Sequence, residues 1–172
     1  MSPNIPQFVP QQVCLSCDGC CRFKEQNSSW RPKVAKEEID QIALGLADKI
    51  FSKKFTDAQG HIRAVQNGGV CRCTFFNTQY NTCGIYSYRP FECQLYPFLL
   101  ARKGEEIFIS VHLNCPFIQE NKGKDAFQRF TGALRNYFGS DDTKNFLKRN
   151  PLLAADYSEY EHELEYLFKL EA

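Results

Sequence analysis

The chain has 172 residues, 43% apolar and 14% aromatic, with 21 basic and 20 acidic side chains. That suits one domain, or a compact domain with an appended segment, and excludes wholesale disorder. The net charge of +1 gives no clear sign of a nucleic-acid partner, and no apolar run is long enough for a membrane helix.

Taken in chain order, residues 1–13 read as an extended arm. The first ten include three prolines, without the basic start and apolar stretch of a secretory signal. The expectation is a cytoplasmic, reducing location, where structural disulfides are rare. The loop Cys14–Cys21 follows, with Asp18-Gly19 as turn chemistry, and Ser29–Val34 is a candidate edge strand around Pro32. Ile39, Ile42, Ala43, Leu46, Ile50 and Phe55 recur at helical spacing, which predicts an amphipathic helix from about Ala35 to Phe55. Gly60 and Asn67-Gly68-Gly69 bracket a segment that reads as a hairpin into Val70–Phe76. Ala101–Leu113, broken by Lys103-Gly104, reads as a second hairpin. From Asp125, Phe127, Phe130, Leu134, Tyr137 and Phe138 mark a helix stopped by Gly139. Ser140 or Asp141 caps a shorter helix that ends before Pro151. Tyr157, Tyr160, Leu164, Leu167 and Phe168 then predict a last helix. It is acidic, with six acids and one lysine after Leu153. Such a face either lies solvated against the basic remainder of the chain or binds a protein partner.

These elements predict an α+β fold, with small antiparallel hairpins and cysteine-rich metal loops packed against three to four helices. The expected layout is the arm 1–13, a cysteine-rich metal-binding domain 14–121 and a helical C-terminal extension 122–172.

All nine cysteines lie between Cys14 and Cys115. An isolated cysteine is commonly a small buried hydrophobe, but that reading fails for four thiols within eight residues. An odd count also fits poorly with complete disulfide pairing. Cys14-x2-Cys17-x2-Cys20-Cys21 has the logic of a loop wrapping three corners of a [4Fe-4S] cluster, with a remote Cys-Pro taking the fourth. Cys115-Pro116 fits that corner. Cys21 projects differently from Cys20 and can serve a second centre with Cys73, Cys83 and Cys93, leaving Cys71 over. Zn2+ remains the alternative metal, since it also accepts four thiolates. His61 and His162 read as solvated, and His112, three residues before Cys115, is a weaker candidate ligand. No HExxH, P-loop, GxGxxG or GxSxG is present.

Cys73-Thr-Phe-Phe-Asn, followed by Cys83-Gly-Ile-Tyr86-Ser-Tyr-Arg89-Pro90-Phe-Glu-Cys93-Gln-Leu-Tyr96-Pro97-Phe98, completes a recognisable pattern. With the Cys14–Cys21 run it resembles the CxxCxxCC (YkgJ-like) family of zinc- or iron-chelating proteins, over about Cys14 to Phe98. Cys71 is an extra thiol relative to that pattern, and Phe76 replaces a leucine. The resemblance implies iron–sulfur or zinc binding, and the flagellin lysine-N-methylases look like larger relatives with the same cysteine pattern. Beside the resemblance, Pro90 stiffens the approach to Cys93, and Arg89 can offset the negative charge of thiolates. Tyr86, Tyr96 and Phe98 would make an apolar surround for the site.

The leading functional expectation is a metal-binding protein whose iron–sulfur cluster or zinc organises the fold, acting as an interaction or electron-transfer module. The alternatives are a metal-dependent group-transfer, methyltransferase-like enzyme and a metal storage or delivery protein.

Overall fold

The computed structural model describes residues 5–46 and 55–171. The fold is α+β. Residues 10–94 make one compact unit, and residues 5–9 with 95–171 make a second.

The first unit has little regular structure. It runs through α1 (Gln11–Leu15), a 3-10 turn (Gly19–Cys21), β1 (Arg22–Phe23) and α2 (Lys36–Gly45). Strands β2 (Ala64–Asn67), β3 (Val70–Cys73), β4 (Phe76–Asn77) and β5 (Thr82–Cys83) follow, then a second 3-10 turn (Tyr86–Tyr88) and α3 (Phe91–Leu95). Helix α1 begins inside the stretch read as an arm, where Cys14 N–H donates to Pro10 O at 3.0 Å. The helix expected to reach Phe55 ends at Gly45, and Ile50 lies outside the described residues.

Strands β2 and β3 form the expected hairpin. Asn67 pairs with Val70, and the two central positions are Gly68 (φ 57°) and Gly69 (φ 81°), the left-handed pair that a type I′ turn requires. Strand β1 adds to the other edge of β3 with Arg22 opposite Arg72 and Phe23 opposite Cys71. The segment read as an edge strand makes only a bridge, Lys33 to His61. Phe23, Val34, Ile42, Phe55, Ile62, Ala64, Phe75 and Ile85 fill the core together with Cys71 and Cys73.

Buried polar groups tie the loops of this unit. Arg31 Nη1 donates to Asp57 Oδ2 at 2.8 Å, and Asp57 Oδ1 accepts the N–H groups of Gln59 and His61. His61 is therefore half-buried beside Asp57, not solvated; its neutral form is favoured by burial. Glu38, only 2% exposed, accepts Ala35 N–H at 2.9 Å and Phe91 N–H at 2.7 Å, so it caps the start of α2 and joins it to α3.

The second unit is built on a four-stranded sheet in the order β8-β6-β7-β9. Strands β6 (Phe98–Lys103) and β7 (Glu106–His112) are the expected hairpin, turning at Gly104, whose φ is 61°. Helices α4 (Pro116–Asn121), α5 (Asp125–Gly139) and α6 (Asp141–Arg149) follow. Ser140 Oγ accepts Thr143 N–H at the start of α6, as expected of an N-cap worth ~1 kcal/mol. Strand β8 (Ala155–Asp156) runs parallel to β6, and β9 (Leu164–Lys169) antiparallel to β7.

That last strand corrects the expected acidic C-terminal helix. Residues 158–163 form 3-10 turns and residues 164–169 complete the sheet. The acids meet the body of this unit: Glu161 bonds Lys103 at 2.7 Å, Glu165 pairs with Lys122, and Glu163 bonds His112 and Asn114. Phe98, Ile109, Val111, Ile118, Phe127, Leu134 and Phe146 are buried in the core. Phe8, from the start of the chain, packs with Phe98, Phe117, Phe127 and Phe130, its ring centroid 5.0 Å from that of Phe130. Among the described residues no helix is long and apolar enough to cross a membrane.

Candidate metal centre

Seven of the eight predicted ligands lie in the first unit, and short elements place each of them. Cys14 lies in the last turn of α1, Cys17 follows the helix, and Cys20 and Cys21 close the 3-10 turn. Continuing the β1–β3 register one step beyond Arg22 and Arg72 sets Cys21 opposite Cys73. Cys83 pairs with Phe76 across β4 and β5, and Cys93 lies in α3. Gly84 packs closely on the loop: its N–H donates to Phe75 O at 2.9 Å, and a Cβ there would crowd the same oxygen at 3.2 Å.

The seven thiols are electrostatic neighbours. Burial first, then Cys20 and Cys17, raise the Cys14 pKa. Cys20 is held protonated by its hydrogen bond to Cys21 and by burial, with Cys21 and Cys17 adding to the effect. Cys21 accepts that hydrogen bond, which lowers its pKa, but burial and the surrounding Cys73, Cys93 and Cys83 leave it raised. Burial pushes Cys73 up to about 12, and burial with Cys73, Cys20 and Cys83 lifts Cys93. Burial also raises Cys83, with Cys20 and Cys14 contributing.

Other groups act in the opposite direction and favour thiolate. Phe75 and Phe76 N–H donate to Cys73, and Ile85 N–H donates to Cys83. Tyr86 hydrogen-bonds Cys14, and the Arg89 guanidinium, 3.7 Å from the centroid of the Tyr86 ring, lowers the pKa of both Cys14 and Cys83. The donor set therefore fits a thiophilic metal: a dense group of thiols with N–H and cationic partners for the charge that forms when protons leave. Among the described residues no three His, Cys, Asp or Glu side chains already converge at ligating geometry, so binding must draw the thiols inward.

Four sequence expectations acquire definite places. Cys115 belongs to the second unit, where it is buried at the N-cap of α4. Tyr96 and Phe98, expected to surround the metal, also belong to that unit; Tyr96 OH bonds His112 Nδ1 at 3.0 Å, and Phe98 joins the aromatic core. His112 is held between Tyr96 and Glu163. Cys71, the spare thiol, donates to Gln66 Oε1 at 3.2 Å.

Sequence reasoning missed two carboxylates beside the site. Glu92 accepts Lys33 N–H at 2.6 Å, and burial pushes its pKa up to about 8 despite Lys33, with Glu38 adding to the rise. Glu38 could have been suspected as an acid at the third position of α2, but its bond to Phe91 N–H spans 53 residues and leaves no local signal.

The sequence model of the CxxCxxCC family, described as "Putative zinc- or iron-chelating domain", matches residues 13–116. The chain belongs to this family. Its CxxCxxCC segment therefore spans more than half of the chain and all nine cysteines, and metal chelation is the property that the family description carries. A similar protein is "Uncharacterized protein MJ0661" of Methanocaldococcus jannaschii, 22% identical over 138 residues, which cover 75% of this chain and 71% of the other. No solved structure matches the chain.

Proposed function

We propose that this CxxCxxCC protein carries a thiolate-ligated iron–sulfur cluster, of [4Fe-4S] type, that organises the first unit and serves as an electron-transfer or interaction module. The observation that supports the proposal is the grouping of seven thiols in the first unit, with Cys73 in its core and Cys21, Cys83 and Cys93 packed against that core. Cys14, Cys17 and Cys20 on one short loop favour a cluster over a single tetrahedral ion, because such a loop reaches three corners of a cube more readily than three sites on one ion. Bound there, the cluster would supply one-electron chemistry.

The protein's own residues would do the rest. Gly19, Phe75, Phe76 and Ile85 hold sulfur lone pairs with backbone N–H groups, and Arg89 with Tyr86 places positive potential and a phenol hydrogen beside Cys14. Protein prepared without air should be brown, contain iron and acid-labile sulfide, and bleach with dithionite. Colourless anaerobic protein with stoichiometric zinc and no sulfide would replace the cluster with a zinc centre.

A further inference from the structure

Helix α2 carries no cysteine, yet it meets the segment leading to Cys93 at both of its ends. At its start, Glu38 Oε1 accepts the N–H of Phe91, the first residue of α3, at 2.7 Å, while Oε2 accepts Ala35 N–H at 2.9 Å. At its other end, Gly45 lies so close to the Tyr88 ring that a Cβ there would stand 2.7 Å from it. Between the two, Ile42 is fully buried in the core that includes Cys73 and borders Tyr88 and Cys93. The link is returned from the opposite side. Glu92, the residue before Cys93, accepts Lys33 N–H at 2.6 Å, in the stretch leading into α2. Two carboxylates thus lace residues 33–38 to residues 91–92 in both directions, across sequence separations of 53 and 59.

We propose that Glu38 and Glu92 are positioning residues of the metal centre: they set α3 against α2, and with it the Cys93 thiol, before metal arrives. The proposal rests on the metal-binding reading above, with Cys93 among the ligands, and gives the carboxylates no bond to the metal. A buried carboxylate is unfavourable unless its oxygens are hydrogen-bonded, and both oxygens of Glu38 face backbone donors. Bonds to backbone N–H groups fix the main chain itself. Cys73 has such a footing already, in the central strand of its sheet. Cys93 stands on a five-residue helix with no ladder beside it, where the bonds from Gln94 to Arg89 O and Pro90 O stay local. The two long-range carboxylate bonds supply what the ladder supplies to Cys73. Groups that hold metal ligands in place typically change affinity by about 10–100-fold when removed. Acceptor counts make the two positions separable. A Gln side chain has one acceptor oxygen where Glu has two. Glu38 uses both, so Glu38→Gln must leave one backbone N–H facing an amide NH2. The bond from Lys33 uses one oxygen of Glu92, so Glu92→Gln can keep it and Glu92→Ala cannot.

The test uses the full chain, prepared without air, and measures metal content, the rate at which bound metal passes to EDTA, the absorption spectrum of the bound centre and thermal melting. Glu92→Ala and Glu38→Gln should release metal about tenfold faster than the parent and shift the spectrum of the metal still bound. Glu92→Gln should match the parent in both. Ile62→Ala, a change to a 1% exposed core residue outside the laced segments, should lower the melting temperature while release and spectrum stay near the parent's. If Glu38→Gln yields no folded protein, the two Glu92 variants and Ile62→Ala decide the matter by themselves. Release at the parent's rate from Glu92→Ala would overturn the proposal. So would equal release from Glu92→Gln and Glu92→Ala, which would make the carboxylate's charge the active feature. Equally fast release from Ile62→Ala would reduce the effect to general stability and overturn it too. Parent-like metal and spectrum in Cys93→Ser would remove the ligand that the carboxylates are said to place. A parent protein that binds no metal would instead defeat the underlying reading.

Discussion

The two units reach stability by different physical routes. In the second, β6, β7 and β9 form continuous ladders, and α5 presents Phe127, Leu134 and Phe138 as a buried face. Apolar burial and regular hydrogen bonding suffice to explain such a unit. In the first, strands β1, β4 and β5 are two residues long, and the loops are tied by Arg31, Asp57 and Glu38. Its core includes two thiols and is bordered by three more. A unit of that kind gains from any ligand that ties those sulfurs together, whereas the other has no such need.

Removal of metal should separate them most clearly. A structural metal site contributes folding free energy on the order of 10 kcal/mol. Chelation should therefore abolish hydrogen-exchange protection in β2 and β3 while β6, β7 and β9 keep theirs. Equal loss of protection in both would end the contrast. The converse experiment is Phe127→Ala, which removes a 2% exposed ring stacked on Phe98. It should cost about 3–5 kcal/mol in denaturant unfolding and leave metal content unchanged.

Acid should produce a smaller, pH-dependent effect. His112 has a pKa lowered by burial, in spite of Glu163. Between the folded value and the unfolded ~6.5, the native state binds fewer protons than the unfolded chain. The stability it contributes is present above ~6.5 and is lost as pH falls, and His112→Gln should flatten that slope in melting curves recorded across this range. His61 has a pKa shifted in the same direction in the first unit, so the flattening should be partial. The smallest effect is expected from Cys71→Ser, at about 1 kcal/mol with metal retained, since Cys71 bonds Gln66. Cys73→Ser, two residues away, should lose metal.

The sequence showed most where the deciding chemistry is local. Gly68-Gly69, Gly104, Gly139 and Ser140 mark two hairpins and a helix boundary because turn and cap geometry depends on a few adjacent residues. The C-terminal segment misled because Leu164, Leu167 and Phe168 keep helical spacing. The structure instead pairs Leu164 and Phe168 with β7, and a register shift beside Ile109 and Ser110, which leaves Leu167 without a partner residue in β7, breaks the two-residue alternation that would have announced a strand. The cysteine run made metal legible as a class of function. The grouping of seven thiols in one unit, and the carboxylates Glu38 and Glu92 beside them, depend on contacts between distant segments that no spacing encodes.

Residues 5–9 belong to a unit whose other members begin at residue 95. During synthesis the segment bearing Phe8 emerges before residues 10–94, whereas Phe98, Phe117, Phe127 and Phe130 emerge after them. Residues 10–94 are therefore complete before the second unit has all the residues of its aromatic core.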